Sequence, residues 1–228
     1  MGCPRDFLEP DKFYHIYNHA NGNDKLFREE KNYHFFMQKI EKYIVPCCDI
    51  HSYCLIPNHF HFAVRVKSEY ILLKMWEEKI DKKLSKLILP PAISKNSSGL
   101  LIGDESDLRI LKLSIIEKLL SEQFSHCFNS YVQAYNKIYN RMGSLMKESF
   151  QRKNVDSERY LKTLICYIHN NPVNHGIVKS TDRWKHSSYN SLFTETPTFI
   201  KRKEVIELFG TLENLVVAHQ ERIGKKII

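Results

Sequence analysis

The chain has no run approaching the roughly 20 consecutive apolar residues of a membrane-spanning helix, so no span is expected. Its opening residues, Met1-Gly2-Cys3-Pro4-Arg5-Asp6, lack the apolar segment of a secretory leader. The expectation is therefore a cytoplasmic protein with reduced thiols. Internal repeats and low-complexity tracts are also missing, which argues against a solenoid or an extended linker-like chain. Acidic residues are in deficit: 26 Asp and Glu stand against 34 Lys and Arg, a formal charge of +8. That balance favours an acidic partner such as a nucleic acid or a membrane surface.

A zinc-binding cysteine pattern is lacking as well. Six cysteines occur, and the densest stretch is Cys47-Cys48-Asp49-Ile50-His51-Ser52-Tyr53-Cys54. On a strand, period two puts Cys48 and Cys54 on one face and Cys47 and His51 on the other. Four ligands then fail to converge, and the cysteines read as buried apolar residues.

At 228 residues the chain should bury roughly 70% of its unfolded surface, enough for one domain with appendages and no staple. Its 12 Tyr and 13 Phe supply core material first and foremost. Residues 12–20 read as a strand and 29–43 as a helix with Tyr33, Phe36, Met37 and Ile40 on one face. Residues 47–56 and 59–66 read as two strands joined tightly at Pro57-Asn58, an antiparallel hairpin. Residues 69–88 look helical and rich in lysine. A breaker-rich stretch follows, from Pro90-Pro91 through Gly99 to Gly103-Asp104, and reads as an exposed excursion. Helical spacing returns at Leu108–Leu120 and again over 122–140, where it continues or restarts. Residues 150–155 form a candidate fourth strand, and Asp156 or Ser157 caps a helix over 158–170 that Pro172 stops. Two short helical patterns, near 202–209 and 211–222, close the chain. The order βαββα, insertion, βα fits an α+β fold: a four-stranded antiparallel sheet with helices on one face.

Two local patterns carry chemistry. In His59-Phe60-His61 the imidazoles point to the same side of a strand, while Phe60 and Phe62 face the opposite layer. Such a pair suits a divalent metal, although ordinary packing histidines also explain it. In Tyr167-Ile168-His169-Asn170-Asn171-Pro172, Tyr167 and Asn171 are four apart and share a helix face. A tyrosine can be a nucleophile and an amide oxygen a third metal ligand. A half-buried packing tyrosine and helix-end asparagines are the plain alternative. His169 points elsewhere on the helix and is a poor choice of general base. Gly176 fits a helix-terminating turn either way.

Taken together with their order, these segments resemble the IS200-like (Y1) transposase family, in particular its REP-associated tyrosine transposase branch. The resemblance rests on Tyr14-His15-Ile16-Tyr17-Asn18, on Leu55-Ile56-Pro57-Asn58-His59-Phe60-His61-Phe62, on Gly143-Ser144-Leu145, on Phe150-Gln151-Arg152-Lys153, on Tyr167 to Gly176, and on Trp184-Lys185-His186-Ser187-Ser188-Tyr189. It covers about residues 12–193 and is weakest over 68–107. It implies a ferredoxin-like, RRM-like palm over 1–193, with 68–107 as a variable insertion and 194–228 as a small helical appendage. It implies Tyr167 as the nucleophile and His59, His61 and Asn171 as ligands of Mg²⁺ or Mn²⁺. Asn171 matches the REP-associated branch, where other IS200-like enzymes carry glutamine. The implied activity is cutting and rejoining of single-stranded DNA beside hairpins through a 5′-phosphotyrosine, by a nucleoid-associated monomer or homodimer.

Candidate DNA contacts are His15 and Asn18 on the first strand, Tyr131 and Tyr135 on the 124–140 helix, and the basic Lys147, Arg152 and Lys153. Lys82, Lys83 and Lys86 are weaker, and each aromatic has a core explanation. The segment Lys201-Arg202-Lys203-Glu204 either caps the sheet or touches a hairpin. Relaxase or replication-initiator nicking, and a decayed RRM-like binder, are the competing readings. A Tyr167 sealed in an apolar core would remove the nuclease reading altogether.

Overall fold

The computed structural model describes residues 6–88, 105–147 and 150–225. Cys3 and most of the breaker-rich excursion, residues 89–104, lie outside them. The elements run β1 (Phe13–His19), α1 (Glu30–Tyr43), β2 (Cys48–Ile56), β3 (His59–Val66), α2 (Glu69–Ile88), α3 (Glu105–Ile138), β4 (Gln151–Val155) and α4 (Glu158–Asn174). Two 3-10 turns, Thr181–Arg183 and Asn190–Phe193, lead to α5 (Arg202–Phe209) and α6 (Leu212–Glu221). The strands form one sheet in the order β2-β3-β1-β4, and all neighbours are antiparallel. This is a ferredoxin-like, RRM-like palm with helical insertions. Among the described residues no helix is long and apolar enough to cross a membrane.

One sheet face is built from aromatic rings. Phe60 and Phe62 of β3 meet Phe36 of α1 at ring-centroid distances of 5.0 and 6.3 Å. Phe128 of α3 meets Phe60 at 5.2 Å, and Tyr131 meets Phe36 edge-on at 5.0 Å. Edge-to-face and tilted pairs of this kind add to the area they bury. Asn32, in the first turn of α1, accepts the Arg28 and Glu29 N–H groups and so fixes where the helix begins.

The expectation of helices on one face is corrected. α1 and α3 cover the Phe60 face, while α4 crosses to the other face and packs on β2 and β3. The reason is visible in β3, which is buried on both sides except at Arg65.

Two local expectations also change. Pro172 does not stop α4, which runs on to Asn174. Proline there forfeits its own N–H bond to the preceding turn and crowds the carbonyl of Ile168, yet only the last two residues of the helix follow it. Closure comes from Gly176 N–H to Val173 O at 2.9 Å and Ile177 N–H to Pro172 O at 2.9 Å, with Gly176 at φ +67°. That is a Schellman ending, and it needs the left-handed glycine. In β2, the pairing steps from Ile50↔Val64 to Ser52↔Ala63, leaving His51 as an extra residue. The bulge reverses the alternation. Cys48 therefore lies opposite Val66 and Cys54 opposite His61, on different faces rather than the same one. Cys47, Cys48, Cys54, Cys127 and Cys166 are all buried free thiols.

The chain after α4 packs against the palm. Residues Ser187 and Ile200 bridge the outer edge of β2 at Cys54 and Ile50, covering backbone that an edge strand would otherwise expose. Lys201 pairs with Asp49 at 3.3 Å, and Glu204 reaches both Arg65 and His51. The Lys201–Glu204 segment thus caps the sheet. α6 inserts His219 behind α4, where its Nε2 lies 2.8 Å from His169 Nδ1 and its carbonyl accepts from Asn170. Ser188 lies 2.8 Å from the other nitrogen of His169, and Thr181 donates to Asn170 Oδ1. His169 and Asn170 are spent on this clasp, facing away from Tyr167.

Two predictions follow from this packing. Phe36→Ala should cost about 3–5 kcal/mol in urea unfolding, whereas Phe7→Ala, at a ring 71% exposed, should stay within about 0.5 kcal/mol; equal losses would contradict the assigned core. Burial holds His169 well below its ordinary value and brings His219 down to about 4. The unfolded chain then takes up protons first as pH falls. Stability from these residues is complete above about pH 6.5 and is lost toward pH 4, by up to roughly 1.4 kcal/mol per pH unit for each ring. Urea midpoints measured at pH 7 and 5 should differ accordingly, and a flat profile would contradict a buried neutral pair.

Candidate active site

The face of the sheet opposite the aromatic core carries imidazoles. Antiparallel pairing sets Tyr17 against His61 and His19 against His59, and places His15 beside Lys153 of β4. Residues directly opposite one another share a face. His15, Tyr17 and His19 of β1 therefore stand with His59 and His61 of β3. His19 packs on His59 at a centroid distance of 4.4 Å, and His59 and His61 lie edge to face at 5.0 Å. The i, i+2, i+4 spacing of His15, Tyr17 and His19 is the sequence signal that identifies this second row, which adds Tyr17 and His19 to the expected residues. His175, at the end of α4, also meets His59, at 4.9 Å.

α4 lies over this face and presents the two residues expected of it. The Tyr167 ring is 5.5 Å from that of His61, and Asn171 Oδ1 is 2.9 Å from His59 Nε2. Both come from the helix face defined by the four-residue spacing. Tyr167 is half-buried, not sealed in the core. Burial raises its phenol above the ordinary 10.0, while the nearby Asn171 amide pulls the other way. The hydroxyl is therefore protonated at neutral pH.

The imidazoles of His59 and His61 are uncharged. Burial, helped by His19 and His175, lowers His59 to about 3, and burial together with the surrounding histidines takes His61 well below its ordinary value. Neutral imidazole is the form that ligates metals. His59 Nδ1 is 2.9 Å from Asn58 Oδ1, while its Nε2 faces Asn171 Oδ1 at the same distance. A neutral ring has one N–H and can donate to only one of these oxygens. With Nδ1 donating, a lone pair on Nε2 confronts a lone pair on the amide. Rotating the amide relieves that confrontation, and so does a cation taken by both atoms. Their separation matches the ~3 Å between adjacent ligands of an octahedral ion bound at about 2.1 Å. His61 Nε2 and Asn171 Nδ2 are buried without hydrogen-bond partners. The residues present thus fit a divalent cation held by two imidazoles and an amide. Among the described residues no group of three or more His, Cys, Asp or Glu is placed to hold a metal, so the candidate set depends on Asn171 as its third donor. It lies at the C-terminal end of α4, where the helix carries partial negative charge.

The expected DNA contacts are placed unevenly. His15 is on the site face and Lys153 beside it, with its ammonium 5.2 Å from the Tyr160 ring. Lys147 is exposed, and its N–H donates to His19 O at 2.8 Å. Asn18 sits opposite Phe60, on the other face, where it helps line a hollow of about 300 Å³ with Ser125, Asn129 and Lys147. Arg152 also faces away and pairs with Glu117 at 2.9 Å. Tyr131 and Tyr135 are buried, and their hydroxyls donate to the carbonyls of Leu26 and Lys25. Neither ring offers an open face, so the packing explanation describes both. Lys83 pairs with Glu122 and Lys82 with Glu78, while the Lys86 side chain lies outside the described residues.

No family model and no curated protein matches the chain. Among solved structures it is similar to a REP-associated tyrosine transposase bound to a REP hairpin, at 13% identity over 86% of each chain, with a TM-score of 0.49. At that distance the likeness assigns no role to any residue here.

Proposed function

We propose that this chain is a metal-dependent endonuclease and strand transferase for single-stranded DNA, with Tyr167 as its nucleophile. The observation that carries the reading is the convergence of a half-exposed phenol, two neutral imidazoles and an amide oxygen on one sheet face. His59, His61 and Asn171 would hold Mg²⁺ or Mn²⁺. When bound, such an ion supplies positive charge at a nonbridging phosphate oxygen. Two imidazoles and an amide cancel none of that charge, which suits an anionic substrate.

The chemistry required of the protein is then modest. Tyr167 Oη attacks phosphorus, an Oη–P bond forms, and the bond from phosphorus to the 3′ oxygen breaks. The phenolic proton passes to solvent and the departing 3′ oxygen takes one up. The product is a 5′-phosphotyrosine and a free 3′-hydroxyl. Because the phosphodiester character is kept, another 3′-hydroxyl can reverse the step and restore Tyr167 without ATP. His169 has both ring nitrogens engaged by His219 and Ser188, so it is not free to act as the base. Lys153 and Lys147 border the face and are the basic residues best placed to meet phosphates. The expected substrate is single-stranded DNA beside a hairpin, and binding should weaken steeply with salt.

Incubation with labelled, hairpin-bearing single strands and Mn²⁺ should yield a covalent adduct on a denaturing gel. The adduct should require metal and vanish in Tyr167→Phe; its persistence there would place the nucleophile elsewhere. His59→Ala and His61→Ala should each lower cleavage by about 100-fold or more while leaving the fold intact. Tight binding with no cleavage across a panel of hairpins would favour the RRM-like binder instead.

A further inference from the structure

His61 has a partner that the proposed chemistry does not use. His15 Nε2 lies 2.9 Å from His61 Nδ1, and the rings are nearly parallel, with centroids 5.0 Å apart. Both rings are buried, at 6% and 4% exposure. Two neutral imidazoles at this distance share one proton, so one nitrogen donates and the other accepts.

The two arrangements differ at the far side of His61. If His15 donates, His61 must carry its own proton on Nε2, which becomes a buried N–H without a partner. Orphaned buried N–H groups are rare because nothing replaces the lost water. If His61 Nδ1 donates to His15, Nε2 becomes a lone pair directed into the site. His59 repeats the pattern: Asn58 Oδ1 takes its Nδ1 side, and Nε2 faces Asn171.

We propose that His15 is a positioning residue that accepts the Nδ1 proton of His61 and thereby locks the tautomer whose Nε2 is free to bind a cation. The proposal rests on the cation-site reading of His61, and its structural half stands apart from that reading. Hydrogen bonds of this kind orient metal-binding histidines and raise their basicity. His15 touches neither phosphate nor metal in this role.

The test uses the full chain, ¹⁵N-labelled and metal-free, near neutral pH. Long-range ¹H–¹⁵N correlations report which imidazole nitrogen carries the proton, and His61→Gln identifies the His61 signals by their loss. Wild-type His61 should be protonated on Nδ1 and bare on Nε2. His15→Leu should shift the proton toward Nε2 and weaken Mn²⁺ binding, followed by electron paramagnetic resonance, by about 10- to 100-fold. His15→Gln, whose amide oxygen can accept in the same place, should restore both within a few-fold. Thermal melting checks that each variant folds; should His15→Leu not fold, the wild-type tautomer and the glutamine variant decide. A proton on Nε2 of wild-type His61, or a tautomer unchanged in folded His15→Leu, would overturn the proposal. If the tautomer follows His15 but wild type binds no Mn²⁺, the lock stands and the cation reading falls.

Discussion

The register between β1 and β3 is the constraint on which everything else in this molecule depends. Pairing Tyr17 with His61 and Asn18 with Phe60 sends one set of side chains into the aromatic core and the other to the imidazole face. Because the side-chain period of a strand is two, a slip of one residue would exchange the sets. Phenylalanines would then meet α4, and histidines would be buried among Phe36, Phe128 and Tyr131. The aromatic contacts of one face therefore hold the geometry of the other. α4 depends on the same register, since Tyr167 and Asn171 meet His61 and His59 only if those two rings point toward it.

Much of this was legible in the chain because strand alternation and helix spacing are local. His59 and His61 declared their shared face through Phe60 between them, and Tyr167 and Asn171 did so through a four-residue interval. What stayed hidden was set by distant partners. The bulge at His51 moved Cys54 to the face opposite Cys48, and its neighbour Glu204 lies 153 residues away. α4 crossed to the second face because the palm had an uncovered row of buried β3 side chains, which no single element announces. Pro172 misleads for a different reason: a proline signals a helix stop, while Gly176 and Ile177 supply the actual ending. Tyr131 and Tyr135 fit either stacking or core by spacing alone, and in the structure both are buried with their hydroxyls donating to the carbonyls of Leu26 and Lys25.

The electrostatics are unusual for a basic chain. Its positive charge does not enter the candidate site, whose five neighbouring imidazoles are supplied by β1, β3 and the end of α4. Burial lowers His15, His59 and His61, with Lys153 adding to it at His15 and neighbouring histidines at His59 and His61. These three rings thus offer lone pairs rather than charge, next to the negative end of a helix. In the proposed reading that combination holds a cation. The lysines stay at its border, where they can meet an anion without competing for the ligands.

The same burial works against Tyr167, whose phenol is pushed above its ordinary value, away from the phenolate a nucleophile requires. A site that lowers histidines and raises tyrosine by one physical cause needs a compensating positive charge to become reactive. In the proposed reading that charge is an ion held by His59, His61 and Asn171, since Lys153 and Lys147 lie at the border of the face and His59 and His61 are neutral. The four side chains concerned all come from a single chain, with Tyr167 and Asn171 on one helix face and the two imidazoles on adjacent positions of one strand face. A second copy is therefore unnecessary to assemble them. The proposed reactivity reduces to whether one chain, with a cation bound, can stabilise a charge that its own buried surroundings otherwise oppose.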